Sequence, residues 1–342
     1  MSVYLGLSVG PSLGGLLTYL FGWRSVFYVN VPIGLLVIAL SLSKLKEKPR
    51  AGRRERFDLL GAGAFSLSLV SFLAGLTFGD GSGWGTPFVS GLLASAGILF
   101  LSFLFVERRK GAKAVLDLSL FTGNRLFAAA NLSALLNYTS YFGVSFFISF
   151  YLQSVLGYNS LQAGIVLLAM PLSMAALSPF SGWLSDRFGS RGLSSLGMAI
   201  IMGGLLLMST VSLASSVAYI ATGLLVIGIG MGLFSSPNTS AVMGSVDRGR
   251  LGVASGTLST MRFSGQSLSL ALMGAIVVSV IPSSLLASLL MGVTVLHVNV
   301  AREAFVEGMS RAFEISAAIA ALGVVTSLQR GSRADVRHLG RS

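Results

Sequence analysis

Gly6-Leu-Ser-Val-Gly10-Pro11-Ser-Leu-Gly14-Gly15 lies inside an uncharged run from Val3 to Leu20, long enough for a helix that crosses a bilayer. Read as a helix, Gly6, Gly10 and Gly14 recur every four residues. They leave one bare face on which a neighbouring helix can pack closely. Pro11 removes a backbone hydrogen bond and bends the helix. G-x-x-x-G alone says little, but the longer string with Pro11 and the Gly14-Gly15 pair is far more specific. Gly6-Leu-Ser8-Val-Gly10 also fits the G-x-S-x-G hydrolase elbow. That elbow needs a strand-to-helix turn and a histidine partner, and neither belongs to this apolar run.

Working outward, the pattern repeats. The 342-residue chain is 53% hydrophobic and 11% charged, with mean hydropathy +0.81. Soluble domains carry about 25% charged residues. Ten apolar segments of spanning length are expected, near 3–21, 25–43, 58–79, 87–106, 127–152, 160–181, 192–213, 216–236, 252–280 and 311–328. Barrel strands are about half as long and alternate, so the fold class is all-α, a polytopic membrane protein. There is no cysteine, and the two histidines, His297 and His338, are far apart, so no metal site is expected. No P-loop string is present, and Gly228-x-Gly230-x-Gly232 lies within a spanning segment rather than in a dinucleotide-binding turn. An enzyme is not expected.

The net charge of +12 is explained by topology rather than by nucleic acid. With Met1 inside and the helices alternating, the segments 44–57, 107–126, 182–191, 237–251 and 329–342 hold 20 of the 24 Lys and Arg residues. Cytoplasmic loops carry that excess, so both chain ends are expected in the cytoplasm. The basic run Lys44 to Arg56 reads as a linker, 107–126 as a loop, 281–310 as a long outer loop and 329–342 as a basic tail.

The Gly6 to Gly15 string resembles the antiporter motif in the fifth helix of drug exporters of the major facilitator superfamily. Gly22-Trp-Arg-Ser-Val-Phe-Tyr-Val-Asn30-Val-Pro32-Ile-Gly34 is similar to the sixth helix of the fourteen-spanner branch. Gly182-Trp-Leu-Ser-Asp186-Arg187-Phe-Gly189-Ser-Arg191 resembles the superfamily's loop motif. Read from its residues, it is a short cytoplasmic turn in which Asp186 can sit near the next helix start, Arg187 and Arg191 can pair with it or with facing carbonyls and lipid phosphates, and Gly189 permits the turn. The resemblance adds a gating role. On this alignment residues 1–43 are the last two helices of the first bundle and 58–106 a two-helix insertion. Residues 127–328 are the six-helix second bundle, and four helices of the first bundle are missing.

A charge inside a membrane helix is costly, and Arg262 is such a case. Ser255, Ser259, Arg262, Gln266 and Ser269 recur at helical spacing, as do Asn137, Tyr141, Ser145 and Ser149. Arg262, Gln266, Asn137, Tyr141, Ser145 and, more weakly, Asn30 are the candidate cavity residues. Interhelical hydrogen bonding explains the same stripes equally simply. No acid falls deep within a predicted span; Asp58 and Glu314 come nearest.

The resemblance implies a secondary transporter of the plasma membrane that exports small hydrophobic or cationic compounds. Its energy source would be the proton gradient, with no cofactor. Its partners would be the lipid bilayer, the substrate and protons. Two alternatives stay open. One is a nutrient or metabolite transporter of the same fold. The other is a truncated or split transporter that needs a missing N-terminal half.

Overall fold

The structure, a computed structural model, describes residues 2–44, 58–82, 85–110, 118–281 and 298–330. The chain begins with α1 (Ser2–Phe21), a short α2 (Ser25–Tyr28) and α3 (Asn30–Lys44). A hairpin of α4 (Leu59–Ser82) and α5 (Pro87–Lys110) follows. After a short α6 (Leu118–Gly123) come α7 (Arg125–Tyr141), α8 (Val144–Phe150) and a π-helical turn at Tyr151–Val155. Then follow α9 (Ser160–Leu167), α10 (Ala169–Phe188), α11 (Ser190–Ser209), α12 (Val217–Gly244), α13 (Leu251–Val280) and α14 (Val298–Leu328).

The fold is all-helical, as composition requires. Among the described residues eight stretches are long and apolar enough to cross a membrane, from Ser25–Lys44 to Val300–Leu328. Of the other two expected spans, 3–21 forms the 20-residue α1. The segment 127–152 is broken between α7 and α8 at Phe142–Gly143, so it is not one helix. Segment 160–181 also bends at Leu168, between α9 and α10. Pro171 sits just beyond and has no N–H for the helical ladder.

Some boundaries depart from the hydropathy reading. The last helix starts at Val298, not near 311, so much of the expected outer loop is helical. Phe305, Val306, Met309, Ala312 and Phe313 are buried on one side, while exposed Glu307 and Arg311 form an i, i+4 ion pair at 2.6 Å. Amphipathic turns of this kind lower mean hydropathy without ending a helix. The loop at 107–126 is mostly helical, since α5 runs to Lys110 and α6 follows. The linker and tail fall at 45–57 and 331–342, outside the described residues, as do 111–117 and 282–297.

The core lies where α7, α8, α11, α12 and α14 meet, around Ile148, Met198, Ile201, Leu205, Ile227, Met231 and Phe313. The α4–α5 hairpin packs outside it, against α13. Helix α1 reaches the bundle through α9 and α10, whereas α3 touches mainly α2 and buries none of its residues.

The bare face read from the glycine string is used at one point. A Cβ on Gly15 would stand 2.6 Å from the Ser160 carbonyl oxygen, while Gly10 and Gly14 face open space. The Ser160 hydroxyl donates back to the Gly15 carbonyl at 3.3 Å. Gly15→Leu is therefore expected to force α1 away from α9 and cost about 1–3 kcal/mol, as overpacking does. Gly14→Leu should change little. Thermal melts of the two variants followed by size-exclusion chromatography make the comparison; equal melting points would refute the assigned contact.

Candidate functional site

Arg262, Ser269 and Tyr138 lie along the seam between α7 and α13, which run parallel. A Cβ on Gly265 would lie 2.7 Å from the Leu135 carbonyl oxygen and 2.9 Å from the Tyr138 Cβ. Only glycine lets the two backbones come this close. Further along, the α7–α8 break leaves the Gly143 N–H outside the helical ladder. It donates to the Ser269 hydroxyl on α13 at 2.9 Å. Hydrocarbon offers no other partner for such a group.

Arg262 lies on the same seam, roughly 16 Å along α13 at 1.5 Å per residue. It is half-buried, and its guanidinium donates to the Thr239 hydroxyl on α12 at 2.6 Å. It also stands 5.8 Å from the centre of the Tyr138 ring, which is tilted against Tyr141 at 5.5 Å. It therefore joins three helices rather than reaching for the membrane surface. Gln266 and Ser145 are half-buried nearby in sequence on α13 and α8.

Other predicted positions go elsewhere. Asn137 is fully buried and donates to the Met198 sulfur on α11 at 2.9 Å, inside the core. Tyr141 is buried as well. Ser259 lines a separate crevice of about 330 Å³ between α13 and the α4–α5 hairpin, with Phe65, Phe103 and Phe263. Asn30 is exposed at the start of α3, where it bonds only the Val26 carbonyl of its own chain segment. The structure does not bring it to the seam.

The Gly182 to Arg191 motif is mostly helix rather than loop. Helix α10 runs through Phe188, and Gly189 alone, at φ +86°, turns the chain into α11. Asp186 is thus in the last turn of α10, not at the start of α11. Asp186, Arg187 and Arg191 are exposed. Among the described residues Asp186 makes no ion pair, and Arg187 stacks on Trp183 and Phe188 instead. Gly182 faces Ser236 on α12. Gly6 and Pro11 both lie within α1.

Two features escaped sequence reading. Glu107, expected in a loop, is fully buried on α5, and Asp58 is nearly so. A Cβ on Gly61 would sit 2.6 Å from the Glu107 Oε1 and 2.8 Å from the Asp58 Oδ2, so both carboxyls flank one point. Arg330, counted with the cytoplasmic tail, is 1% exposed. Its guanidinium donates to the Ser194 hydroxyl on α11 at 3.0 Å and to the Asn238 Oδ1 on α12, over the Phe234 ring. Burial pushes its pKa down to about 9, which leaves it charged at neutral pH. The only sequence signal was its place one turn past an apolar run.

Comparison with known proteins gives this geometry a context. Residues 1–270 match the model of the Major Facilitator Superfamily. The chain is 32% identical over 281 residues to "Multidrug resistance protein Stp" of Mycobacterium tuberculosis, covering 82% of this chain and 52% of that protein. It is 30% identical over 269 residues to "Multidrug transporter protein MdtP" of Bacillus subtilis, covering 78% and 49%. It is also 30% identical over 261 residues to "Riboflavin transporter RibZ" of Clostridioides difficile, covering 76% and 55%. The chain spans about half the length of the curated relatives it matches.

Replacing Arg330 by Leu removes charged hydrogen bonds to two helices and is expected to cost about 1.5–3 kcal/mol. Lys should not restore it, because one ammonium cannot reproduce the guanidinium fork. The exposed Arg187→Leu serves as the comparison in thermal unfolding. An unshifted Arg330→Leu melt would contradict the packing.

Proposed function

The chain belongs to the Major Facilitator Superfamily, and from that premise we propose that it is part or all of a proton-coupled exporter of small hydrophobic or cationic compounds. The observation that carries the proposal is Arg262, a half-buried cation well inside a spanning helix, held by Thr239 and Tyr138. Charges at that depth mark pathways for substrates or ions. Tyr138 and Tyr141 are buried against each other behind Arg262, and the half-buried Gln266 and Ser145 are the polar groups proposed to meet a substrate. Alternating access moves one bundle against another, and the Arg262 seam lies inside the second of them. The α1–α9 contact at Gly15 is the joint between the two sets of helices. The turn at Asp186 to Arg191 is the proposed gate. The cytoplasmic ends, the plasma membrane and the four additional helices of a fourteen-spanner belong to the same reading.

Two observations favour second readings. The riboflavin transporter among the relatives supports a nutrient substrate on the same fold. The uncovered surface of α3, with the half-length match, supports a chain that works with further helices supplied in cis or by a partner.

Expression in a drug-sensitive bacterium, with a fluorescent cationic dye, separates these readings. An exporter lowers dye accumulation, and a protonophore abolishes the effect. Gln266→Leu should shift the range of compounds exported while leaving membrane insertion intact, whereas Asn137→Leu, in the core against Met198, should act on stability. Raised riboflavin uptake without dye export would select the nutrient reading. No transport by the chain alone, restored by coexpressed N-terminal helices of a relative, would select the third.

A further inference from the structure

A groove of about 420 Å³ opens on the outside of the bundle between α7, α13 and α14. Its two ends differ in chemistry. At the start of α7 stand Arg125 and, from the end of α14, Gln329, both exposed. Its length is mainly apolar, with Ala129, Leu132 and Leu135 on α7 and Met261 on α13, and the hydroxyl of Thr326 on α14 is taken up by Ser133 and the Gly323 carbonyl. Leu135 and Met261 each lie roughly 15 Å along their helices, about the hydrocarbon thickness of one leaflet.

Both walls of the polar end are held in place. Asn124 caps α7 by accepting from the Phe127 N–H, and its amide donates to the Ser245 carbonyl beyond α12 at 2.6 Å. Arg330, turned inward to Ser194 and Asn238, fixes the end of α14 next to Gln329. Arg125 itself makes no hydrogen bond or ion pair among the described residues. It stands at the positive end of a 17-residue helix, where an anion is favoured.

We propose that this groove binds one anionic phospholipid, its phosphate at Arg125 and the start of α7, and one acyl chain along Leu132, Leu135 and Met261. A cation at the boundary joined to an apolar trough matches a lipid in charge and in polarity along its length. A soluble anion would use only the first of these. A purely apolar guest would leave Arg125 unanswered. The cavity takes only part of the molecule, and the remainder lies among the surrounding lipids. The site depends on membrane embedding, not on the direction or substrate of transport.

The test is native mass spectrometry of the full chain, released from membranes and offered phosphatidylglycerol or phosphatidylcholine. The wild type should retain one phosphatidylglycerol in preference. Arg125→Ala should reduce that preference about fivefold, the worth of one basic residue at a membrane surface. Ala129→Trp, which fills the trough, should remove the retained lipid of either kind. Arg109→Ala, an exposed arginine on α5, should behave as wild type. Undiminished preference in Arg125→Ala, an equal loss in Arg109→Ala, or displacement by inorganic phosphate alone would overturn the proposal. Should Ala129→Trp fail to accumulate, the two arginine variants decide the matter.

Discussion

Hydrocarbon supplies no hydrogen-bond partners, so each backbone group that leaves a helical ladder must find one inside the protein. At Gly143 that demand is met by a single hydroxyl, Ser269, on a helix more than a hundred residues later in the chain. The bond requires α7 and α13 to lie nearly in backbone contact, which Gly265 allows. Once that approach is made, Arg262 is carried to a position between Tyr138 and Thr239. The pairing of two helices, the tolerance of a break and the placement of an intramembrane cation thus share one cause.

The ends of the bundle obey a different logic. There water and headgroups compete for every polar group, yet the structure draws two side chains inward. Asn124 ties the start of α7 to the chain after α12, and Arg330 ties the end of α14 to α11 and α12. The interior seam and these end ties together join α7, α11, α12, α13 and α14 at two levels. The α4–α5 hairpin and α1 attach from outside, the latter through the close approach at Gly15.

Hydropathy made the helices legible because a spanning segment must be apolar along its whole length. It misplaced the start of α14, because Glu307 and Arg311 depress the average while Phe305 and Met309 still face the core. It read 127–152 as one helix, because a break that is satisfied by Ser269 leaves no mark on residue polarity. Periodicity placed Ser259 and Arg262 on one face, yet the residues meet the hairpin and α12 respectively. Charge counting put Arg330 and Glu107 in solvent, since composition cannot show which basic or acidic residue near a helix end turns inward. The Gly6 to Gly15 string was legible as a packing surface, but not which of its glycines would meet a neighbour.

The late partner of Gly143 bears on how the chain enters the membrane. Helix α7 carries Asn131, Ser133, Asn137 and Ser140, all fully buried in the finished bundle. Its broken turn waits for Ser269, which emerges from the ribosome some 126 residues behind it. The first helix of the bundle to be synthesised is therefore among the last to be satisfied. Until α13 is made, the Gly143 N–H has no Ser269 to meet, and bare hydrocarbon offers nothing in its place.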